Sequence, residues 1–346
     1  MDTLIDDIGS FPLPQNVDRE TYNKAYHLAR EAMAESKDAR TDEFICKNFC
    51  NVTINSFKKK MRTGLDITNS PWHYDGICQI SDLIHKAMEK GTFIVDEKDA
   101  FLPEVRIIES EAKNISDEIG KKIFLRVCIY GPMEQYLKEM GTVSYIDVLD
   151  GFAETIKRFA KNSILDTKYI KTAVVSIDEP SFGFSDITEE KDAIGKILEK
   201  AFDFKGPIRQ IHLHSSTRLP DLLELKNIDV LSFEYAASPR NIEGISKERL
   251  DKSNKQLRVG ISRTDIDSIT AELYDRGITK PTAEQLIEPE VVIKNRYQFA
   301  KEKFGDTMTF TGPDCGLGSW PNQETAQMLL ERTVKALRTD KITSKF

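Results

Sequence analysis

Short apolar or β-branched runs alternate along this chain with longer stretches of helical periodicity. Eight runs stand out: Leu4–Ile8, Leu65–Thr68, Ile123–Tyr130, Thr172–Ile177, Ile208–His212, Asp229–Phe233, Leu257–Ile261 and Thr307–Thr311. The first two are the shortest on apolar content. Between the runs, apolar residues recur at helical spacing. In Val143–Ser163 they are Ile146, Leu149, Phe152, Ile156 and Phe159, and Ala283–Phe304 and Glu324–Leu337 read the same way. Asp18–Arg62 holds more helical pattern than one strand–helix unit needs, which predicts an extra helical layer beside the first strand. This alternation is the rhythm of a parallel sheet. Eight units predict an α/β fold, a (β/α)8 TIM barrel with extra N-terminal helices; a doubly wound open sheet is the alternative.

No Pro/Gly/Ser-rich linker, low-complexity stretch or internal repeat divides the sequence, so residues 1–346 read as one barrel, a normal length for that fold with added helices. Composition narrows the function classes. Hydrophobic residues make up 40% of the chain, enough for a sizeable core. With 49 basic and 56 acidic residues the net charge is −7, and there is no basic tract. Nucleic acid and anionic membrane surfaces are therefore poor partners. No apolar run approaches the roughly 18 residues of a membrane span. The start, Met1-Asp2-Thr3-Leu4-Ile5-Asp6-Asp7, lacks the features of a signal peptide. A cytoplasmic location is expected. The five cysteines, Cys46, Cys50, Cys78, Cys128 and Cys315, are odd in number and irregularly spaced, which argues against a disulfide framework. Cys46 and Cys50 read as reduced core or boundary residues.

Polar and conformationally special residues gather just beyond the run ends: Ser10, Asp178, Glu179, His212, His214, Glu234, Asp314 and Cys315. In a barrel the C-terminal strand ends open onto one face, which carries the active site, so these distant residues would converge. His212 and His214 alternate on a strand and so point to the same side. Glu234 follows the next run, and Cys315 sits in a Gly-containing turn after the eighth. Imidazole, carboxylate and thiolate together form a donor set suited to Zn2+. Each has an ordinary structural alternative: a hydrogen-bonded strand-end histidine, a Glu234 paired with Arg240 or Arg263, an inert cysteine.

The motifs Ile8-Gly9-Ser10-Phe11-Pro12, Ser176-Ile177-Asp178-Glu179-Pro180, His212, Leu231-Ser232-Phe233-Glu234 and Gly312-Pro313-Asp314-Cys315-Gly316-Leu317 occur in an order that resembles the C-terminal catalytic barrel of cobalamin-independent methionine synthases, within the wider uroporphyrinogen decarboxylase-like group. The likeness spans about residues 5–338. It implies a zinc ion held by His212, Glu234, Cys315 and a residue two beyond His212. That residue is a Cys in the family and His214 here. It also implies that Ser10 and Asp178 contact the amino-acid part of homocysteine, with Asp178 meeting the ammonium and Glu179 in support. Two family contacts have no counterpart: a Glu after the second strand, where this chain reads Asp66-Ile67-Thr68-Asn69-Ser70-Pro71, and a His near Arg263. Arg263 is instead a candidate for a carboxylate or sulfonate, and Trp320 for the mouth of the site.

The expected function is zinc-dependent methyl transfer to a thiol, with homocysteine giving methionine. After Gly131-Pro132 the chain runs Met133-Glu134-Gln135-Tyr136, without the threonine- and tryptophan-bearing pattern of the folate-using enzymes. A methylated corrinoid protein is thus a credible donor beside methyltetrahydrofolate. The alternatives are another small thiol such as coenzyme M, and a non-catalytic barrel that binds a corrinoid protein.

Overall fold

The computed structural model describes residues 2–185 and 187–338. Eight parallel strands make one sheet: β1 (Leu4–Ile5), β2 (Thr68–Asn69), β3 (Ile123–Tyr130), β4 (Ile170–Asp178), β5 (Ile208–Leu213), β6 (Val230–Phe233), β7 (Gln256–Ser262) and β8 (Met308–Pro313). The order is β1-β8-β7-β6-β5-β4-β3-β2, so sequence neighbours are sheet neighbours and the first strand also pairs with the last. The two ends of this order meet at one bridge, Asp6 to Ile67. With helices around the sheet, the architecture is the α/β, TIM-barrel-like one expected.

The first two runs are shorter as strands than as apolar stretches, and the reason lies at that seam. Carboxylates there take the place of ladder carbonyls. The Ile5 N–H donates to Asp66 Oδ2 at 2.8 Å, and the Asn69 N–H donates to Asp7 Oδ1 at 2.8 Å. The helical reading of Ala283–Phe304 is also corrected, because it forms two helices, Ala283–Leu286 and Glu290–Phe304. Pro289 between them lacks an N–H and disfavours helical backbone at Glu288.

Asp18–Arg62 forms the extra layer. It contains helices Arg19–Ala34, Glu43–Ile45 and Asn51–Arg62, with a π-helical turn at Cys46–Cys50. Asp18 caps the first of these by accepting from the Thr21 N–H at 2.8 Å. Tyr22, Tyr26, Phe49 and Cys50 form a separate apolar cluster with Tyr74, from the segment after β2. Among the described residues, no helix is long and apolar enough to cross a membrane.

Strand alternation stacks the barrel interior in layers, each drawn from alternate strands. Ile67, Val174, Val230 and Phe310, at the even-numbered strands, pack together as an apolar floor. The residues that pair with them in register on the odd strands are Asp6, Arg126, Gln210 and Arg258, all fully buried. Asp6 forms ion pairs with both guanidinium groups, through Oδ2 to Arg126 and through Oδ1 to Arg258 Nε at 2.7 Å. Such a layer is costly to desolvate and is held by its pairing. Above it the layers turn to Ser176 and Ser232, then His212, then Asp178, Glu234 and Asp314. The polarity that rises through the barrel ends at its C-terminal mouth.

The helical layer is tied to that mouth by buried hydrogen bonds. Trp72 Nε1–H donates to Gln79 Oε1 at 3.1 Å, and Gln79 Nε2 donates to Tyr26 OH at 2.9 Å and to Glu104 Oε2 at 3.1 Å. Burial pushes the Glu104 carboxyl up to about 7. The folded state therefore holds this proton more tightly than the unfolded chain does. Stability is highest below the unfolded value and falls as pH rises through the window up to about 7. Replacing Glu104 with Gln should remove this loss. In urea unfolding, the gain from Glu104→Gln is expected to be roughly 2 kcal/mol larger at pH 8 than at pH 5. An equal effect at both values would contradict a protonated, buried Glu104.

Candidate metal centre

β5 carries His212 and, just past its end, His214. Their rings lie on one side with centroids 5.5 Å apart. His212 is 2% exposed. Its Nδ1 lies 3.0 Å from the Ser232 hydroxyl on β6, and its Nε2 is buried without a hydrogen-bond partner. A serine that accepts from Nδ1–H fixes the tautomer in which Nε2 keeps its lone pair. His214 Nε2 lies 3.4 Å from Cys315 Sγ and 3.4 Å from Glu234 Oε1. Glu234 is therefore partnered by His214 rather than by Arg240 or Arg263. One donor atom from each of His212, His214, Glu234 and Cys315 falls within 4.8 Å of the others. Donors around tetrahedral zinc stand roughly 3.3–3.8 Å apart, so a small contraction would complete the shell.

The electrostatics fit a cation here. Burial, then the nearby Asp314 and Asp265 carboxylates, push Glu234 up to about 8. Burial, with Glu234 next, pushes the Cys315 thiol up as well. Burial also lowers both histidines, which keeps them neutral. Two acids short of countercharge beside two neutral imidazoles, one with an orphaned nitrogen, make a donor set that a divalent cation would satisfy.

Neighbouring residues lock these donors in place. The buried Asp314 carboxylate accepts from three successive backbone N–H groups, Tyr235 and Ala236 at 3.0 Å and Ala237 at 2.6 Å. It thereby fixes the chain beyond Glu234 while standing next to Cys315. Asn241 Nδ2 donates to the carbonyls of His214, at 2.7 Å, and Glu234, at 2.9 Å. Thr264 Oγ1 accepts from the Cys315 N–H at 3.1 Å.

The cluster borders a pocket of about 420 Å³ at the barrel mouth. Ser10 and Asp178 line it with His212, His214 and Cys315. Ser176 Oγ–H donates to Asp178 Oδ1 at 2.6 Å, and burial raises the Asp178 carboxyl to about 6. Ser10 Oγ accepts from the Gly318 N–H at 3.2 Å and keeps its own proton to donate.

Three residues singled out in the sequence lie elsewhere. Glu179 is turned away, accepting from the N–H groups of Met133 at 3.0 Å and Glu134 at 2.7 Å, so it holds the helix Pro132–Met140 rather than facing the pocket. Arg263 is engaged by Asp265 at 2.7 Å and Glu272 at 2.8 Å, and it borders a different surface cleft. Trp320 is packed in an apolar cluster with Phe11 and Leu317, its Nε1–H donating to Thr264 O at 3.0 Å.

Sequence reasoning missed other walls of the pocket: Trp72, His73 and Tyr74 after β2, Tyr130 at the end of β3, and Arg19 and Asn23 on the first helix. Trp72 has φ 47°, a left-handed backbone that is unusual for a bulky residue. Gly76 makes room for its ring, since a Cβ there would lie 2.1 Å from Trp72 Cζ2. The ring sits 5.0 Å from that of Tyr130. The clue in the sequence was the aromatic run Trp72-His73-Tyr74 directly after a strand end.

No protein-family model matches the chain, and no curated protein matches its sequence. Among solved structures, it is similar to a B12-independent methionine synthase from Shewanella sp. W3-18-1 in complex with selenomethionine, with TM-score 0.59, 12% identity and 98% of each chain covered. An endo-beta-1,4-mannanase from Thermotoga petrophila overlaps less well, with TM-score 0.43, 9% identity, and 84% of this chain and 74% of that one covered. At 12% identity the first likeness establishes the barrel fold alone.

If Asn241 positions the ligands, Asn241→Ala should weaken zinc affinity roughly 10–100-fold while the protein stays folded. Competition with a chromophoric chelator measures this. Unchanged affinity would show that the two loops hold their ligands without it.

Proposed function

We propose that this protein is a zinc-dependent methyltransferase that transfers a methyl group to the sulfur of a small thiol, with homocysteine the preferred acceptor and methionine the product. The observation that carries this reading is the convergence of His212, His214, Glu234 and Cys315 at the mouth of the barrel. In this reading zinc is held by those four side chains, with His214 standing where the related synthases have a Cys. Bound zinc would favour the thiolate of the substrate at neutral pH, where a free thiol, with pKa near roughly 8.5, is largely protonated. A site with two imidazoles and one protein thiolate places less negative charge on the metal than a two-thiolate site does.

The chain's own residues then supply position and polarity. Ser232 orients His212, while Asp314 and Asn241 hold the loops that carry Glu234 and Cys315. In this reading Asp178 and Ser10, which both line the pocket, serve the amino-acid end of the substrate, the carboxylate meeting the ammonium and the hydroxyl offering a hydrogen bond. Trp72 and Tyr130 wall the cavity with apolar surface and limit water near the sulfur. The thiol would release its proton to solvent on binding. Its sulfur lone pair then forms the new S–C bond while the donor–methyl bond breaks, and that bonding pair leaves with the donor. A methylated corrinoid protein is favoured as donor over folate. In this reading the helix after β3 is structural, since Met133 and Tyr136 are buried and the first-turn amides are taken by Glu179. A sulfonated thiol loses its main support, because Arg263 is held by Asp265 and Glu272.

Protein purified without chelator, or supplemented with zinc, is expected to carry close to one zinc per chain. It should form methionine from homocysteine and methylcobalamin, and Cys315→Ser should lose both properties. Absence of bound zinc in both preparations would overturn the proposal.

A further inference from the structure

The pocket has one guanidinium on its wall, and none of the contacts described so far accounts for it. Arg19 opens the helix Arg19–Ala34, and Asn23 lies one turn further on the same face; both line the cavity that holds Asp178 and borders the metal-ligand candidates. Arg19 is exposed, and among the described residues it has no carboxylate partner within ion-pair distance. Its Nη1 donates to the carbonyl of His73. That bond uses a single N–H of the five the group carries and ties it to a residue that lines the same pocket. A cation in the first turn of a helix also runs against the local dipole, so the position is not explained by helix stability. The amide of Asn23 has a buried oxygen with no partner, and it can rotate to present either its oxygen or its NH2.

The rest of the wall leaves Arg19 as the side chain that can meet an anion by charge. His73 is neutral because burial pulls it down to about 3. The Asp75 carboxylate is engaged with the N–H groups of Ile77 and Cys78. The cavity therefore offers a soft-donor metal site for sulfur, a buried carboxylate at Asp178 for a cation, and a guanidinium at the rim for an anion.

We propose that Arg19, assisted by Asn23, binds the carboxylate of the acceptor and so selects an amino-acid thiol over a thiol that lacks this group. The inference rests on the reading of the site as a thiol methyltransferase. It places the specificity for the acceptor on the added N-terminal helical layer rather than on a barrel strand end.

The test compares binding, by calorimetry on zinc-supplemented protein, of homocysteine and of 3-aminopropane-1-thiol, which is homocysteine without its carboxylate. The parent protein should prefer homocysteine roughly 10–100-fold. Arg19→Met should bring the two affinities to within a few-fold of each other by weakening homocysteine alone. Arg19→Lys, which keeps charge but not the planar fork, should restore part of the preference. A merely structural Arg19, bracing the His73 carbonyl, would weaken both thiols alike, and that outcome overturns the inference. A loss confined to methyltetrahydrofolate or methylcobalamin binding would assign Arg19 to the donor and overturns it equally. Failure of the parent protein to bind any thiol would instead overturn the methyltransferase reading itself.

Discussion

The candidate site depends on one buried carboxylate. Asp314 stands at the end of β8 and receives the N–H groups of Tyr235, Ala236 and Ala237, across the barrel mouth from it. Those three amides follow directly on Glu234, and Asp314 itself directly precedes Cys315. One side chain thus fixes the positions of two proposed ligands from strands β6 and β8. Strand β7, which runs between them, yields space: a Cβ on Gly260 would stand 2.2 Å from Asp314 Oδ1. Three charge-assisted hydrogen bonds to one carboxylate tie the two loops together far more firmly than apolar loop packing would. Burial still holds the Asp314 carboxyl up at about 6, so the grip works against desolvation.

Below that grip, the barrel interior is graded from apolar to charged. The floor of Ile67, Val174, Val230 and Phe310 gives way to the Asp6–Arg126–Arg258 layer and then to serines, His212 and Asp178. The arginines are permanently charged and share Asp6, so their field reaches upward to Asp178. The mouth is therefore polar because successive inward positions of the same strands become polar, and no separate loop has to deliver the chemistry. The N-terminal helices play a different part. Through Tyr26, Gln79 and Trp72 they brace the pocket wall, and through Arg19 they reach its rim.

Much of this was legible in the sequence because it is local or periodic. The eight runs, the helical stretches between them and the surplus of helix in Asp18–Arg62 all follow from residue spacing. The grouping of His212, His214, Glu234 and Cys315 followed from strand ends sharing one face, and the structure brings those four together. Asp178 and Ser10 were legible for the same reason, and both line the pocket. The residues that the structure places away from the pocket differ in features that spacing does not encode. Glu179 is adjacent to Asp178 and, by alternation, points the other way, into the first turn of a neighbouring helix. Arg263 has acidic neighbours at Asp265 and Glu272 that claim it, the second of them well along the following helix. Trp320 buries its ring under the β8 loop. Arg19, Asn23 and Trp72 escaped notice because the added helices and the loop after β2 meet the barrel mouth only in three dimensions. The shortness of β1 and β2 likewise reflects side-chain carboxylates replacing ladder bonds, which apolar patterning does not reveal.

The proposed zinc site is mononuclear, with two imidazoles, one carboxylate and one thiolate. Zinc K-edge X-ray absorption on the zinc-loaded protein reads this donor set without relying on turnover. The expected first shell has one sulfur at about 2.3 Å and nitrogen or oxygen donors at about 2.0–2.2 Å, with imidazole scattering that diminishes in His214→Ala. A shell containing no sulfur, or one unaffected by loss of either His212 or His214, would contradict it.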